Sequence, residues 1–264
     1  MLVKVKGLVI RTVDINESDR LITLFTEERG IVTASAKGAR SLRSRMMAAT
    51  QLFCYGSYVL YKKGDHMWVR EAELAESFFE LRNSIESLAL AAYIVDIISF
   101  VGTEEAETEL LRVTLNSLYA VSTGKYPLPL IKAAFEIRAM SVIGFMPDVS
   151  ECSECGRSDG DFILMIMDGN IVCDECRKKA NEIKEYVYED SGTEAISAVL
   201  SDGARTAFNY CIHCPPERLF SFRISDEDLS LFSRAAELYT LNHLERNFQT
   251  LDFYKEVTRK DAVH

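Results

Sequence analysis

The sequence predicts an α+β protein: a five-stranded barrel at the N-terminus, then a helical bundle interrupted by a four-cysteine ribbon. Three observations predict it. Up to about residue 80, apolar side chains recur at every second position, the period of a half-buried strand. From Leu81 the period lengthens to about 3.6, that of a helix. Within the helical part, Cys152-Ser-Glu-Cys155 and Cys173-Asp-Glu-Cys176 stand seventeen residues apart, a spacing that suits two metal-binding knuckles.

The strands follow in order. Val3 to Val13 alternates, with Val3, Val5, Gly7 and Val9 on one face. Leu21 to Thr26 is a second strand, and Glu27-Glu28-Arg29-Gly30 turns into a third, Ile31 to Ala36, closed by Gly38. Ala39 to Thr50 is a connector with helical potential. Leu52 to Lys62 and His66 to Ala75 are the fourth and fifth strands, joined by Lys63-Gly64-Asp65. Five strands with a connector between the third and fourth match the OB-fold, so residues 1–80 are expected to form an OB-type domain.

A first helix carries Ile85, Leu88, Ala92 and Val95; being apolar nearly all round, it should be central and buried. Leu111, Leu115 and Leu118 mark a second, and Pro127 and Pro129 open a third that carries Ile131 to Gly144. Beyond the ribbon, helices are expected over Thr193 to Leu200, Ala204 to Ile212 and Asp226 to Arg246, the last capped by Ser225. The helical domain is thus expected over 81–147 and 181–264, with the ribbon inserted at 148–180.

In the ribbon, Asp161 to Met167, the Asp168-Gly169-Asn170 turn and Ile171-Val172 read as a hairpin between the knuckles, and Gly156 suits the first knuckle's turn. Cys152, Cys155, Cys173 and Cys176 are the candidate ligands of a closed tetrahedral Zn2+ site. Such a site has no open position for water or substrate, so the expected role is structural. Four unconnected core cysteines, or two disulfides, are the competing reading. His66, His213, His243 and His264 lie in no metal-binding spacing, and a third pair, Cys211 and Cys214, reads as core thiols, as does Cys54.

The net charge of −10 hides a division. Residues 1–70 hold 12 of the 30 Lys and Arg and 6 of the 40 Asp and Glu, a balance of +6 that leaves −16 for the rest. Polyanion binding is therefore expected at the N-terminus. Lys37, Arg40, Arg43 and Arg45 place four cations in nine residues with no acid among them, on a loop that can follow phosphates. Phe53, Tyr55 and Tyr61 share one face of the fourth strand, with Tyr58 and Trp68 nearby; these rings either stack bases or fill the barrel. No paired-carboxylate, nucleophile–base or phosphate-loop signature is visible, so no enzyme is expected. The start lacks a signal-peptide core, and the apolar run from Ser87 to Val101 is broken by Asp96 and is too short to span a bilayer. A cytoplasmic protein without membrane contact is expected.

Several segments together resemble one family. Gly7-Leu-Val-Ile-Arg11, Glu17-Ser-Asp-Arg20, Leu21 to Thr26, Gly30, Lys37-Gly-Ala-Arg40 and Ser44 resemble the amino-terminal barrel of the RecO family of bacterial recombination mediators and DNA repair proteins. Phe145-Met-Pro147, the two knuckles, Leu244-Glu-Arg246 and Thr250-Leu-Asp252 resemble that family's later segments in the same order. The resemblance implies binding of single- and double-stranded DNA and annealing of complementary strands. It also implies work with RecR to load RecA onto strands coated by single-strand binding protein, whose acidic tail such proteins contact, and a place at the nucleoid. Arg11, Arg20, Lys37, Arg40, Arg43 and Arg45 then become the DNA-contact candidates. On so acidic a body the tail would need a local apolar groove rimmed by cations, with Lys132 and Arg138 as candidates. A zinc-ribbon adaptor that joins proteins without touching DNA remains the alternative.

Overall fold

A computed structural model describes residues 1–185 and 196–261. Five strands, β1 (Leu2–Asp14), β2 (Arg20–Thr26), β3 (Gly30–Ala36), β4 (Tyr55–Lys63) and β5 (His66–Glu76), close into a barrel in the order β1-β2-β3-β5-β4. The pairings are antiparallel except β3 with β5, which meet in parallel where Ser35 opposes Trp68. Alternation sends Val5, Val9, Ile22, Leu24, Val32, Ala34, Tyr58, Leu60 and Val69 into one apolar core. The long β1 serves two neighbours, and Gly7 opposes Gly56 where it crosses β4. A Cβ on Gly56 would come within 2.3 Å of the Glu73 carbonyl, so this close backbone approach requires glycine.

Two details of the barrel differ from expectation. Residues Ala39 to Thr50 form successive turns rather than a helix. The serines explain why: Ser41 Oγ accepts from the Arg43 N–H and Ser44 Oγ from the Met46 N–H, an alternative to helical bonding. The fourth strand begins at Tyr55, not Leu52, because Phe53 sits at φ +68° and is buried ahead of it. Phe53 therefore shares no strand face with Tyr55 and Tyr61.

Contacts divide the chain into one unit of residues 1–125 and 248–264 and a second of residues 126–247. In the first, α1 (Ile85–Val101) is capped by Ser84, whose Oγ accepts from the Ser87 N–H at 3.1 Å. It packs against α2 (Thr108–Thr123) and against α7 (Gln249–Asp261), a helix absent from the sequence reading. Leu90, Ile94, Ile97 and Ile98 are its buried face, whereas Ile85 and Leu88 are exposed. Asp96, which breaks the apolar run, accepts a hydrogen bond from Thr250 Oγ1 of α7 at 2.8 Å.

In the second unit, α3 (Leu128–Val142) packs on α5 (Asp202–His213) and α6 (Asp226–His243). Ser225 caps α6 as expected, accepting from the Asp228 N–H. The ribbon contributes β6 (Asp148–Cys152), β7 (Phe162–Met165) and β8 (Asn170–Cys173), followed by α4 (Asp174–Glu185). The helix expected over Thr193 to Leu200 is corrected. Its first three residues lie outside the described residues, and Ser197–Leu200 is a strand, β9, which pairs antiparallel with β7. β-Branched and apolar alternation over so few residues suits an edge strand as well as a helix turn, and the open edge of β7 decides between them. Among the described residues no helix is long and apolar enough to cross a membrane.

Candidate nucleic-acid interface and four-cysteine cluster

The basic loop leaves β3 at Ala36 and returns to β4 at Tyr55. Lys37, Arg40, Arg43 and Arg45 are exposed along it. Its two ends are held by the β1–β2 turn. At the start, an Asp19 carboxylate oxygen accepts the Gly38 N–H at 2.8 Å, and the Ser18 carbonyl accepts the Arg40 N–H at 3.0 Å. The Arg40 guanidinium donates to the Asn16 carbonyl and pairs with Asp14 at 3.3 Å. Near the end of the loop, Arg20 pairs with Asp14 at 2.9 Å and donates to the Thr50 carbonyl at 3.3 Å. Tyr58, in the barrel core, donates to the Ala49 carbonyl at 2.7 Å and holds the loop down from below.

The six cations expected to meet DNA therefore differ in kind. Arg20 and Arg40 are struts, each already shared with Asp14. Lys37, Arg43 and Arg45 project outward, and among the described residues none of the three has an ion pair. Arg11 is exposed on β1 opposite Thr23 and stands apart from these ion pairs. The run Lys37 to Arg45 contains no acid, but the fold brings Asp14 and Asp19 against it. The Arg20 hydrogen bond, with Arg40 nearby, holds the Asp14 carboxyl below the usual carboxylate range. The Gly38 N–H does the same for Asp19, helped by Asn16, Ser18 and the Lys37 charge. Sequence reasoning missed both acids; the signal available was Asn16-Glu-Ser-Asp19, a turn composition rich in side chains that accept backbone N–H groups.

The ribbon brings its four cysteines together. Their Sγ atoms all lie within 4.8 Å of one another, and Cys155 and Cys173 are 3.8 Å apart. Tetrahedral coordination with metal–sulfur bonds of about 2.3 Å requires sulfur separations of about 3.8 Å, so the donor set fits a thiophilic divalent ion. Gly156, at φ +73°, makes the turn that aims the first knuckle inward. Burial pushes the Cys152 thiol up, but N–H donors from Cys173, Glu154 and Cys155 outweigh it and bring the group down to about 6. Hydrogen bonds shared with Cys155 and Cys173 push Cys176 up to about 12.

Cys211 and Cys214 are buried at the end of α5, burial pushes both thiols up, and no further ligand joins them among the described residues. The groove at Lys132 and Arg138 is corrected. Lys132 is 3% exposed and held at 3.0 Å by both Glu136 and Glu237, and Arg138 is buried against the Cys211 and Ile212 carbonyls that end α5. α3 is buried on every side from Leu130 to Met140, so neither cation can rim an open groove.

Comparison with known proteins supplies the family. The model of the recombination protein O N-terminal domain matches residues 1–78, and that of its C-terminal domain matches residues 82–252. A curated DNA repair protein RecO of Acetivibrio thermocellus is 36% identical over 259 residues, covering 97% of each chain. Another of that name, from Alkaliphilus metalliredigens, is 27% identical over 261 residues, 97% of this chain and 100% of the relative. A third, from Bacillus subtilis, is 31% identical over 181 residues, 68% of this chain and 70% of the relative. With family models matching both the barrel and the helical part, and a relative aligned along nearly its whole length, this chain belongs to the RecO family of DNA repair and recombination proteins.

Proposed function

We propose that the protein is a non-enzymatic recombination mediator of the cytoplasm and nucleoid. It binds single- and double-stranded DNA through its barrel, anneals complementary single strands and, with RecR, helps load RecA onto strands coated by single-strand binding protein. The observation that carries this reading is the exposed trio Lys37, Arg43 and Arg45 on a loop held open at both ends, in a chain of the RecO family. A held loop loses little conformational entropy when phosphates dock on it. Arg11, Arg20 and Arg40 complete the electropositive surface, the last two mainly by fixing the loop. The contact is to the sugar–phosphate chain, so it carries no sequence preference.

In the ribbon, we propose Zn2+ as the ion held by Cys152, Cys155, Cys173 and Cys176; it supplies folding free energy and no chemistry on a substrate. The barrel (1–80) is the DNA module, followed by the helical domain (81–147, 181–264) with the ribbon (148–180) inserted in it. An annealing assay with complementary oligonucleotides tests the reading. The protein should accelerate annealing, and Arg43→Glu/Arg45→Glu should abolish the acceleration while leaving the circular-dichroism spectrum unchanged. A charge-reversed protein that anneals as fast as the parent would sink the DNA role of the barrel and favour a protein adaptor.

A further inference from the structure

The barrel carries an aromatic surface that the phosphate-binding loop does not use. In the β4–β5 hairpin Tyr61 opposes Trp68 and Lys63 opposes His66. Their chain neighbours Leu60 and Val69 point into the barrel core, so the period of two places Tyr61 and Trp68 on the outer face. The Trp68 ring has Tyr61 at 6.1 Å with a tilt of 35° and His66 at 6.0 Å with a tilt of 51°. Neither ring lies flat on it. The Arg70 guanidinium sits 5.1 Å from the Tyr61 ring. Lys62, Lys63, His66 and Arg70 are exposed, and Tyr61 and Trp68 are half-exposed.

A cross-strand aromatic pair alone would steady the hairpin. It would not account for cations on the rim of half-exposed rings, because leaving aromatic area in water forfeits burial. Ring faces flanked by cations are what a single nucleic-acid strand requires, with bases stacking on π-surfaces and phosphates meeting positive charge. The position fits as well. Trp68 pairs with Ser35, and Lys37, the first cation of the basic loop, follows Ser35 by two residues, at most about 7 Å of extended chain. Further along β5 the exposed Glu71 and Glu73 end the favourable stretch.

We propose that Tyr61, Trp68 and His66 form a platform on which bases of single-stranded DNA stack while the strand's phosphates continue onto Lys37 and the basic loop. The platform rests on the DNA-binding reading above and deepens it. Duplex DNA keeps its bases stacked on one another, so the platform favours single strands over duplex without reading sequence.

Trp68 is the only tryptophan, so the intact protein reports on its own platform. A thymidine 15-mer and an abasic 15-mer of equal charge are titrated, following tryptophan emission and, separately, the anisotropy of a label on each strand. The thymidine strand should quench the emission saturably and bind more tightly than the abasic strand, which should leave emission unchanged. Trp68→Ala should reduce that preference about tenfold, the scale of one lost stacking contact, with the salt dependence unaltered. Trp68→Phe should keep most of it. Equal binding of both strands with unchanged emission overturns the platform and leaves the phosphate-binding loop standing. Failure of both strands to bind overturns the platform and the loop together. The wild-type titrations decide the matter even where a variant folds poorly.

Discussion

Arg40 should behave unlike Arg43 and Arg45, although the three lie within six residues of one loop. Arg43 and Arg45 project from the loop without an ion pair, so each can neutralise a phosphate at full effect. On a single strand every phosphate neutralised contributes about 0.7 to the slope of log K against log salt. Arg43→Ala/Arg45→Ala should therefore flatten the slope by about 1.4. Between 50 and 200 mM salt, about 0.6 in log units, the parent should lose about sevenfold more affinity than the double variant. Arg40 is already divided between Asp14 and the Asn16 carbonyl. Its removal takes away little free positive charge but releases the loop's first turn. Arg40→Ala should thus weaken binding with a slope change well under 0.7, since what is lost is order more than counterion release. Fluorescence anisotropy with an unstructured 15-mer, run across the salt series for all three proteins, measures the three slopes. If Arg40→Ala flattened the slope as much per residue as the double variant, the division into struts and contacts would be wrong.

Further outcomes follow from named contacts. Asp19→Asn keeps an oxygen to accept the Gly38 N–H and removes a repulsive charge, so DNA should bind at least as tightly; Asp19→Ala, which loses the acceptor, should bind more weakly, and equal tightening by both would show that Asp19 acts by charge alone. Because Asp14 and Asp19 titrate below their ordinary values, the stability they lend is fully present above about pH 4 and lost as pH falls through the lowered values. Hydrogen exchange at the Gly38 amide should accordingly be protected equally at pH 5 and pH 8. Cys173→Ser, or chelation, should strip the bound ion and melt the ribbon, since a structural zinc supplies on the order of 10 kcal/mol of folding free energy; calorimetry should show the loss, and an unchanged transition would refute the structural role. Lys132→Met leaves Glu136 and Glu237 facing each other inside the second unit and should cost about 3–5 kcal/mol, read from urea unfolding.

How legible was this molecule? The five barrel strands could be read to within a few residues because one buried face forces an apolar residue at every second position, and a slip of one would turn Val5, Ile22 and Leu60 outward. The ribbon was legible because four thiols at knuckle spacing have few other uses. The connector at Ala39 to Thr50 was harder, since its apolar residues allow a helix and only the serine side chains tip it to turns. Ser197–Leu200 was misread because a strand at a sheet edge is chosen by its partner, β7, which no local pattern announces. The exposure of Ile85 and Leu88 has the same origin: a helix apolar all round does not say which side its neighbours will take. In the candidate site the cations were visible as a run, but their division into struts and contacts depended on Asp14 and Asp19, which the β1–β2 turn brings beside the loop from some twenty residues earlier in the chain.

The two acids look like a handicap on a loop proposed to bind DNA, and the physics of association explains why they would be tolerated. Asp14 and Asp19 against the loop leave a smaller net charge, and each neutralised charge lowers non-specific affinity. What is gained is geometry: a loop tied at Gly38, Arg40 and Thr50 presents Lys37, Arg43 and Arg45 without first having to be ordered. A protein that anneals strands, as proposed for this one, must also let go of them. Few free cations on a rigid loop favour contacts that form quickly and dissociate quickly, while the acidic remainder of the chain, at −16 over residues 71–264, discourages DNA from spreading beyond the barrel. On this reasoning Asp14→Asn, which frees Arg20 and Arg40 for phosphate, should bind single strands more tightly yet anneal them more slowly at saturating protein, because each coated strand is held longer. Stopped-flow annealing beside equilibrium binding measures the two together, and a variant that binds more tightly and anneals faster would show that release is not the limiting step.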